Sequence, residues 1–530
     1  MAAPVFLVGF PGAGKSTAGA LAAAALGRRF VDLDDVVAAD AGRSAAALVA
    51  ADVTDFRRRE AAALAGLIAA GGDPVIATGG GAATWADNLA RMRAAGLVVA
   101  LAVDLDVALA RVAASGPRPL LARPAAEVAA LHADRAVVYR RAHATVVTDG
   151  RPPAAVAAAL ARLVRSADSL GRPTPWVVLD DRSYPLLIDD RPLADGLAGA
   201  IGPGRVVLVT DTNLAPWVEP TRAAIAAAGG RAVADVPVIT VAPGEASKSL
   251  ATYGWLCEQL VAAGLDRTST VIALGGGVVG DLAGFVAATL YRGVAVVHLP
   301  TTLVAMTDSA IGGKTAVDLP AGKNLVGAFW QPARVVAHLP TLATLPPRER
   351  QAGFGELWKY ALLDGDALWR DVAAHAAWAA TAAPPPPTLA AVVDRAATLK
   401  AAIVSRDERE TRGERALLNL GHTLGHALET EADGRLLHGE AVGLGLRAMA
   451  RISHRLGLAP ADLEPRVTDA LAATGLPTDL DSRLTPAALA RVGVDKKRRG
   501  THLAFIACAG PGACQVVDLL PGALADFLRP

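Results

Sequence analysis

The chain has 530 residues with 52 basic and 51 acidic side chains, a length that calls for about three folding units rather than one core. The balanced charge excludes the one-sided basic surface that releases counterions from a nucleic-acid backbone, and 4% aromatics among Ala-dominated apolar residues favours helix-rich α/β layers over a β-sandwich. Three cysteines (Cys257, Cys508, Cys514) without CxxC spacing indicate neither a disulfide framework nor a thiolate zinc site, which fits a reducing cytoplasm.

The opening segment MAAPVFLVGFPGAGKST is strand-like but lacks the basic region of a secretory signal. The most apolar stretch, around Gly275 to Leu290, is interrupted by Asp281, so no membrane partner is expected. From Val5 to about Val164, short apolar runs (VFLVG, PVIAT, LVVALAV) alternate with helical stretches, which predicts βαβ units and a parallel sheet. Between the first strand and helix stands Gly9-Phe-Pro-Gly12-Ala-Gly14-Lys15-Ser16-Thr17, a phosphate-cradling loop in its required context. Its glycines let backbone N–H groups approach the phosphates of a nucleoside triphosphate, the helix N-terminus adds a favourable dipole, Lys15 neutralises the β/γ oxygens, and Ser16 can ligate Mg2+. The loop alone does not separate a kinase from a GTPase or a motor.

Val31-Asp32-Leu33-Asp34 ends the next strand, where period-2 spacing would put both carboxylates on one face, one for Mg2+ and the other for a substrate hydroxyl. Phe56-Arg57-Arg58, Gly79-Gly80-Gly81, Arg118-Pro-Leu-Leu121 and Arg135 with Tyr139-Arg140 follow in order. Over residues 1–168 these features resemble shikimate kinase. The resemblance implies that Asp34, Arg57, Gly80 and Arg135 hold shikimate, with Asp34 orienting or deprotonating the attacking hydroxyl. It also implies Asp32 beside Ser16 at the Mg2+, and Arg118 on a closing lid, joining Lys15 in stabilising the transferring phosphoryl group.

Ser169 to Pro175 lacks periodicity and carries two prolines, so a linker is predicted at 169–175. WVVLD, RVVLVTD, STVIALGGG and VAVVHLP then predict a second, nucleotide-binding sheet within 176–335. Past Gln331-Pro332 the pattern turns helical, so 336–530 is expected to be mostly helices, broken by a surface loop at Pro384 to Pro387. The expected fold is α/β: a P-loop kinase-type parallel-sheet domain, a Rossmann-like NAD-binding α/β domain, and a mostly α-helical metal-binding domain.

Ala273-Leu-Gly-Gly276-Gly277-Val278-Val-Gly-Asp281 follows a strand, where backbone amides can meet a pyrophosphate. Asp211 and Asn213 end the strand before it, and Glu245 and Lys248 offer ribose or adenine contacts. Thr301-Thr302, Asp308-Ser309, Lys314 and Gly322-Lys323-Asn324 set cations among glycines and hydroxyls, as an anion site requires. In Asn419-Leu-Gly-His422-Thr-Leu-Gly-His426, the two histidines fall one helical turn apart, with His438-Gly-Glu440 downstream. Two histidines and Glu356, from Gly355-Glu-Leu-Trp-Lys359, would make a catalytic metal site with open positions.

From about Val177 to Leu520 these motifs, GGGVVGD, PTTLVAMTDSAIGGKT, GKN, LNLGHTLGHA and HGE, resemble 3-dehydroquinate synthase. The resemblance implies NAD+ and Zn2+ or Co2+ as cofactors. The expected reaction converts 3-deoxy-D-arabino-heptulosonate 7-phosphate to 3-dehydroquinate and phosphate. Glu356, His422 and His438 would hold the metal, and His426 would be an acid/base group rather than a ligand. Asp308, Lys314, Asn324, Lys359, Lys400, Arg415 and Asn419 would meet the substrate, Lys496 or Lys497 would close on its phosphate, and Arg292 would reach a neighbouring subunit of a homodimer. Glu410, a further catalytic candidate, lies in a stretch from Asp407 to Arg415 that is one residue longer than the family spacing. Gly355 stands where the family has alanine, a change expected to leave the metal site intact. The rivals are a glycerol-dehydrogenase-like oxidoreductase or another sugar-phosphate cyclase, and, for the N-terminal part, a non-catalytic nucleotide sensor. Lys314, Lys323 and Asn324 favour a phosphorylated substrate.

Overall fold

The computed structural model describes residues 3–115, 121, 123–492, 498–499 and 502–528. Arg118, Lys496 and Lys497 lie outside the described residues. The chain packs as two units, Met1–Pro185 with Ala401–Arg406, and Leu186–Lys400 with Asp407–Pro530.

In the first unit, β1 (Val5–Val8), β2 (Phe30–Asp32), β3 (Val75–Ala77), β4 (Leu97–Ala102) and β5 (Ala144–Val147) form a parallel sheet of order β2-β3-β1-β4-β5. β1 is buried along its whole length, as a strand covered by helices on both faces must be. The helix Pro153–Leu170 packs along the helix Lys15–Leu26 and ends at Gly171, whose left-handed backbone (φ 67°) stops it. Beyond it, Trp176 and Val178 are still buried in the first unit's core, and β6 (Trp176–Val177) pairs antiparallel with the start of β7 (Tyr184–Asp189).

The second unit continues with β8 (Val206–Asp211), β9 (Val238–Val241), β10 (Thr270–Gly275), β11 (Ala295–Pro300), an antiparallel hairpin of β12 (Lys314–Leu319) and β13 (Gly322–Phe329), and β14 (Arg334–His338). Apart from the hairpin these join β7 in a parallel sheet of order β7-β14-β11-β10-β8-β9. Helices follow, among them Pro347–Asp364, Leu389–Arg406 as far as Lys400, His422–Glu431 and His438–Arg455. A small antiparallel sheet of β15 (Arg498–Arg499), β16 (His502–Cys508) and β17 (Cys514–Leu519) lies where the sequence pattern reads as helical. Among the described residues no helix is long and apolar enough to cross a membrane.

Two glycines decide how closely the helices that carry Glu356 and His438 approach. A Cβ on Gly355 would lie 2.0 Å from the Gly439 carbonyl oxygen, and one on Gly439 would lie 1.7 Å from that of Ala352. The helices Pro347–Asp364 and His438–Arg455 therefore touch backbone to backbone. The crossing sets Glu356 beside His438.

Candidate active sites

In the first unit the loop after β1 leads into the helix Lys15–Leu26, whose N-cap Gly14 is left-handed (φ 88°) and supplies no side-chain cap. Its first amides are thus available to an anion. Lys15 Nζ donates to the carbonyls of Gly9 (2.7 Å) and Phe10 (3.2 Å), folded over the loop it would share with a nucleotide. Ser16 Oγ donates to Asp32 Oδ2 at 2.6 Å, bringing both expected Mg2+ residues together. Ser16 and Thr17 are at the helix start, where Thr17 is exposed.

The geometric expectation for Asp32 and Asp34 needs correction. The strand ends at Asp32, which caps the helix Leu33–Ala41 by accepting from Asp34 N at 3.1 Å, and Asp34 stands in the first turn of that helix. The capping preference of Asp ends the strand early, so helical geometry rather than alternation brings Asp34 towards the site. A Cβ on Gly79 would meet Glu60 Oε1 at 2.2 Å and Asp34 Oδ1 at 2.9 Å. One on Gly80 would lie 3.3 Å from Arg135 Nη1, and one on Gly81 would lie 2.3 Å from Arg57 Nη2. The three glycines are the wall against which two carboxylates and two guanidinium groups rest.

Arg57 Nη1 is 2.5 Å from Glu60 Oε2, and Glu60 is wholly buried. Burial raises the Glu60 carboxyl, opposed by Arg57. Burial likewise lowers Arg135 and lifts Tyr139 to about 12, while the Tyr139 hydroxyl donates to the Gly80 carbonyl. Arg135 Nη1 and Glu60 Oε1 find no hydrogen-bond partner among the described residues, so capacity for a polar ligand remains. Sequence reasoning missed Glu60, although its position one turn after Arg57 was a usable signal. It also missed Arg111, whose guanidinium reaches Gly12 O (3.3 Å) and Thr148 O (2.7 Å) from a helix with no motif around it.

In the second unit the C-terminal ends of the parallel strands β8, β10 and β11 carry the dinucleotide candidates. Gly276 is the N-cap of the helix Gly277–Thr289 and offers no side chain, leaving amides through Val278 for a pyrophosphate. A Cβ on Gly277 would sit 3.1 Å from Ser309 Oγ, a buried hydroxyl without a hydrogen-bond partner among the described residues. Thr302 Oγ1 accepts from Ala305 N (3.1 Å), and Thr301 N donates to Gly275 O (3.0 Å), holding that strand end against the glycine loop. Asp211 caps the turn at Asn213 (2.8 Å), and burial raises its carboxyl. Lys248 Nζ lies 2.6 Å from Asp281 and 3.7 Å from Glu245. Asp281 is pushed up to about 6 by burial, with Lys248 opposing. These residues fit a dinucleotide.

Asp308 is the hub of the substrate candidates. It lies in a π-helical turn, Ala305–Ser309, a rare element that recurs at functional sites. Its Oδ1 is 2.8 Å from Lys400 Nζ and 3.6 Å from Lys359 Nζ, and it accepts from the Tyr360 hydroxyl at 2.7 Å. Burial would raise this carboxyl, but Lys359 and Lys400 hold it far below the usual range. Burial brings Lys400 down to about 8 against the pull of Asp308. Lys314, on β12, pairs with Glu410 Oε1 at 2.6 Å, and Arg415 Nε is 3.7 Å from the same oxygen. Asp407 accepts the amides of Thr411, Arg412 and Arg415 (2.8, 3.0 and 3.1 Å), winding the long Asp407–Arg415 stretch so that Glu410 (φ 60°) reaches both cations. Asn324 is left-handed (φ 55°) on β13, and Arg292 is exposed with φ 68°. Asn419 closes the 3-10 turn before the His422 helix and lines a small cavity with Gly421 and Thr423.

Glu356, His422 and His438 come from three helices, with Glu356 Oε1 lying 3.2 Å from Nε2 of both histidines. Glu356 is wholly buried. Burial would raise it, yet Lys359, 2.5 Å from its other oxygen, and His422 hold it well below the carboxylate range. One carboxylate and two imidazoles fit zinc or cobalt. His426, one turn along from His422, is exposed, its ring 5.1 Å from that of His422 and 5.9 Å from that of His438. Glu429, which the sequence did not single out, contacts His438 Nδ1 at 3.0 Å.

Together the fold and the sites define a P-loop phosphotransferase joined to a metal- and dinucleotide-dependent enzyme of the sugar-phosphate cyclase type. Family models for shikimate kinase (residues 11–165), the 3-dehydroquinate synthase N-terminal part (238–352) and its C-terminal part (353–498) match the chain. The 3-dehydroquinate synthase of Caulobacter vibrioides is 44% identical over 365 residues, 66% of this chain and 97% of that protein. That of Lactiplantibacillus plantarum is 45% identical over 325 residues, 61% of this chain and 88% of that protein. The structure of 2-deoxy-scyllo-inosose synthase with carbaglucose-6-phosphate, NAD+ and Co2+ aligns with TM-score 0.59 and 26% identity, covering 67% of this chain and 99% of that one. 2-Epi-5-epi-valiolone synthase from Streptomyces hygroscopicus subsp. jinggangensis, with NAD+ and Zn2+ bound, aligns with TM-score 0.58 and 27% identity, covering 65% of this chain and 95% of that one. The chain belongs to the 3-dehydroquinate synthase family and carries a shikimate kinase domain ahead of the synthase, which makes it a bifunctional shikimate-pathway enzyme.

Proposed function

We propose that residues 1–168 phosphorylate shikimate with ATP and Mg2+, and that 176–335 with 336–530 convert 3-deoxy-D-arabino-heptulosonate 7-phosphate to 3-dehydroquinate with NAD+ and Zn2+ or Co2+. The join expected at 169–175 starts inside the helix Pro153–Leu170, and the first unit runs on to Pro185. In the kinase, Lys15 and the uncapped amides after Gly14 bind the nucleotide phosphates, and Ser16 with Asp32 would hold Mg2+, which neutralises phosphate charge when bound. Arg57, braced by Glu60, and Arg135 form the fork for the shikimate carboxylate, Gly80 leaves it room, and Asp34 takes the hydroxyl proton. Arg118 adds positive charge that stabilises the transferring phosphoryl group.

In the synthase, Glu356, His422 and His438 would hold the metal. Asp211, Asn213, Glu245, Lys248, Gly276, Gly277, Val278, Asp281, Thr301, Thr302, Ser309 and Lys323 would cradle NAD+. When bound, NAD+ would supply a reversible hydride acceptor and the metal would supply Lewis acidity. The chain's own groups bind and orient: Lys314, Asn324, Lys359, Lys400, Arg415, Asn419 and Lys496 receive the anionic and hydroxyl groups, with Asp308 fixing Lys359 and Lys400. His426, exposed beside the metal set, moves a proton, and Glu410 holds Lys314 in register. The synthase works as a homodimer in the cytoplasm, with Arg292 reaching its partner.

The observation that carries this reading is the meeting of Glu356, His422 and His438, joined through Lys359 to Asp308 and Lys400. Glu356→Gln is expected to abolish phosphate release while shikimate phosphorylation continues, and Lys15→Ala to do the reverse, both read by coupled assays on the full chain. Full phosphate release by Glu356→Gln would remove the metal assignment. Loss of both activities in Lys15→Ala would favour a nucleotide sensor.

A further inference from the structure

Glu429 is a carboxylate with two partners and no role in the proposed mechanism. It lies on the helix His422–Glu431, seven residues and two turns beyond His422, on the same face. Its Oε2 is 3.0 Å from His438 Nδ1, while the opposite nitrogen of that ring, Nε2, is 3.2 Å from Glu356 Oε1. Its Oε1 accepts from Lys323 Nζ at 2.8 Å, and Lys323, on β13, is also 4.0 Å from Glu245 in the dinucleotide loop. The side chain is only 15% exposed. A line of alternating charge thus runs from the dinucleotide loop through Lys323 and Glu429 to a candidate metal ligand.

His438 offers a nitrogen to each of two donor sets, since His426, Glu429 and His438 also converge closely enough to hold an ion. The two are unequal. On the Glu356 side the carboxylate and His422 are both buried and Glu356 Oε1 lies 3.2 Å from two imidazole nitrogens, whereas on the Glu429 side His426 is exposed. The ion is therefore assigned to Nε2, and Glu429 faces the nitrogen that keeps its proton.

We infer that Glu429 is a positioning residue for His438 and that, through Lys323, it couples metal affinity to occupation of the dinucleotide site. The inference rests on the metal assignment proposed above. Accepting the Nδ1–H fixes the tautomer, aims the Nε2 lone pair towards Glu356 and raises the basicity of the ring. Lys323 partly offsets the Glu429 charge. A pyrophosphate that takes up some of that lysine's charge leaves Glu429 more strongly negative towards His438, so NAD+ tightens the metal and, by reciprocity, the metal tightens NAD+.

The test is equilibrium Co2+ binding to the metal-stripped full chain against a chromophoric chelator, with the visible cobalt spectrum recorded, each with and without NAD+. The unmodified chain is expected to bind Co2+ about 5-fold or more tightly when NAD+ is present. Glu429→Gln is expected to weaken Co2+ about 10- to 100-fold, shift the spectrum and lose the NAD+ effect, with partial recovery in Glu429→Asp. Unchanged affinity and spectrum in Glu429→Gln would overturn the positioning role, and an unmodified chain indifferent to NAD+ would overturn the coupling. Retention of Co2+ by His422→Ala together with its loss in Glu429→Gln would make Glu429 a ligand and overturn the inference. An unmodified chain that binds no Co2+ would overturn the metal assignment itself.

Discussion

Gly79, Gly80 and Gly81 have little freedom to be anything else, because a methyl group at each would enter Glu60 and Asp34, Pro11 and Arg135, or Arg57. Gly79→Ala must push the two carboxylates aside, and displacement of this size costs roughly tenfold or more in productive binding. The KM for shikimate is expected to rise by about that factor while the KM for ATP stays near its starting value; an unchanged shikimate KM would contradict the packing. Lys400 gives a pH prediction in the other enzyme. Its folded value lies near 8, below the ordinary lysine range, so the cation is present at neutral pH and lost as pH rises through about 8. Synthase kcat/KM should fall along that limb, and Lys400→Arg, whose charge persists, should move the limb upward. At this scale the sequence reveals residues carried in dense motifs, such as Lys15, Glu356 and the three histidines. Glu60 is marked only by its place one turn after Arg57, and Arg111 and Glu429 are not legible at all, because an acidic or basic residue on a helix carries no mark of what it will face.

Among elements, the crossing of the helices Pro347–Asp364 and His438–Arg455 decides whether the proposed metal donors Glu356 and His438 meet. By sequence, glycine in place of the family's alanine at 355 is an exchange of one small residue for another, whereas in this chain the structure gives a Cβ there no room beside Gly439. Gly355→Ala is expected to destabilise the chain by about 1 to 3 kcal/mol and to weaken Co2+ binding by separating Glu356 from His438. Thermal unfolding and cobalt titration would read both, and a variant equal to the unmodified chain in each would contradict the close crossing. The parallel strands are legible as apolar runs because both faces are buried. The hairpin β12–β13 is not, since its second strand is largely exposed and glycine-bearing, and β16 and β17 sit among helical patterns with β17 largely exposed. Asp34 shows the same boundary problem on a smaller scale: a capping Asp32 turns the chain into a helix two residues before alternation would have ended.

At the scale of the whole molecule, two motif sets, each confined to its own stretch of chain, make the bifunctional organisation readable from the sequence. The break between them is less sharp than the two prolines near 175 suggest, because Trp176 and Val178 remain in the first unit's core. That core and the synthase's parallel sheet are separate packing problems, so each chemistry is expected to depend on its own residues. The most direct measurement is phosphate release from 3-deoxy-D-arabino-heptulosonate 7-phosphate by the full chain with catalytic NAD+, with and without a chelator, while absorbance at the NADH wavelength is followed. Chelator-sensitive phosphate release without net NADH is the predicted result; steady accumulation of NADH, or no release at all, would contradict the synthase assignment.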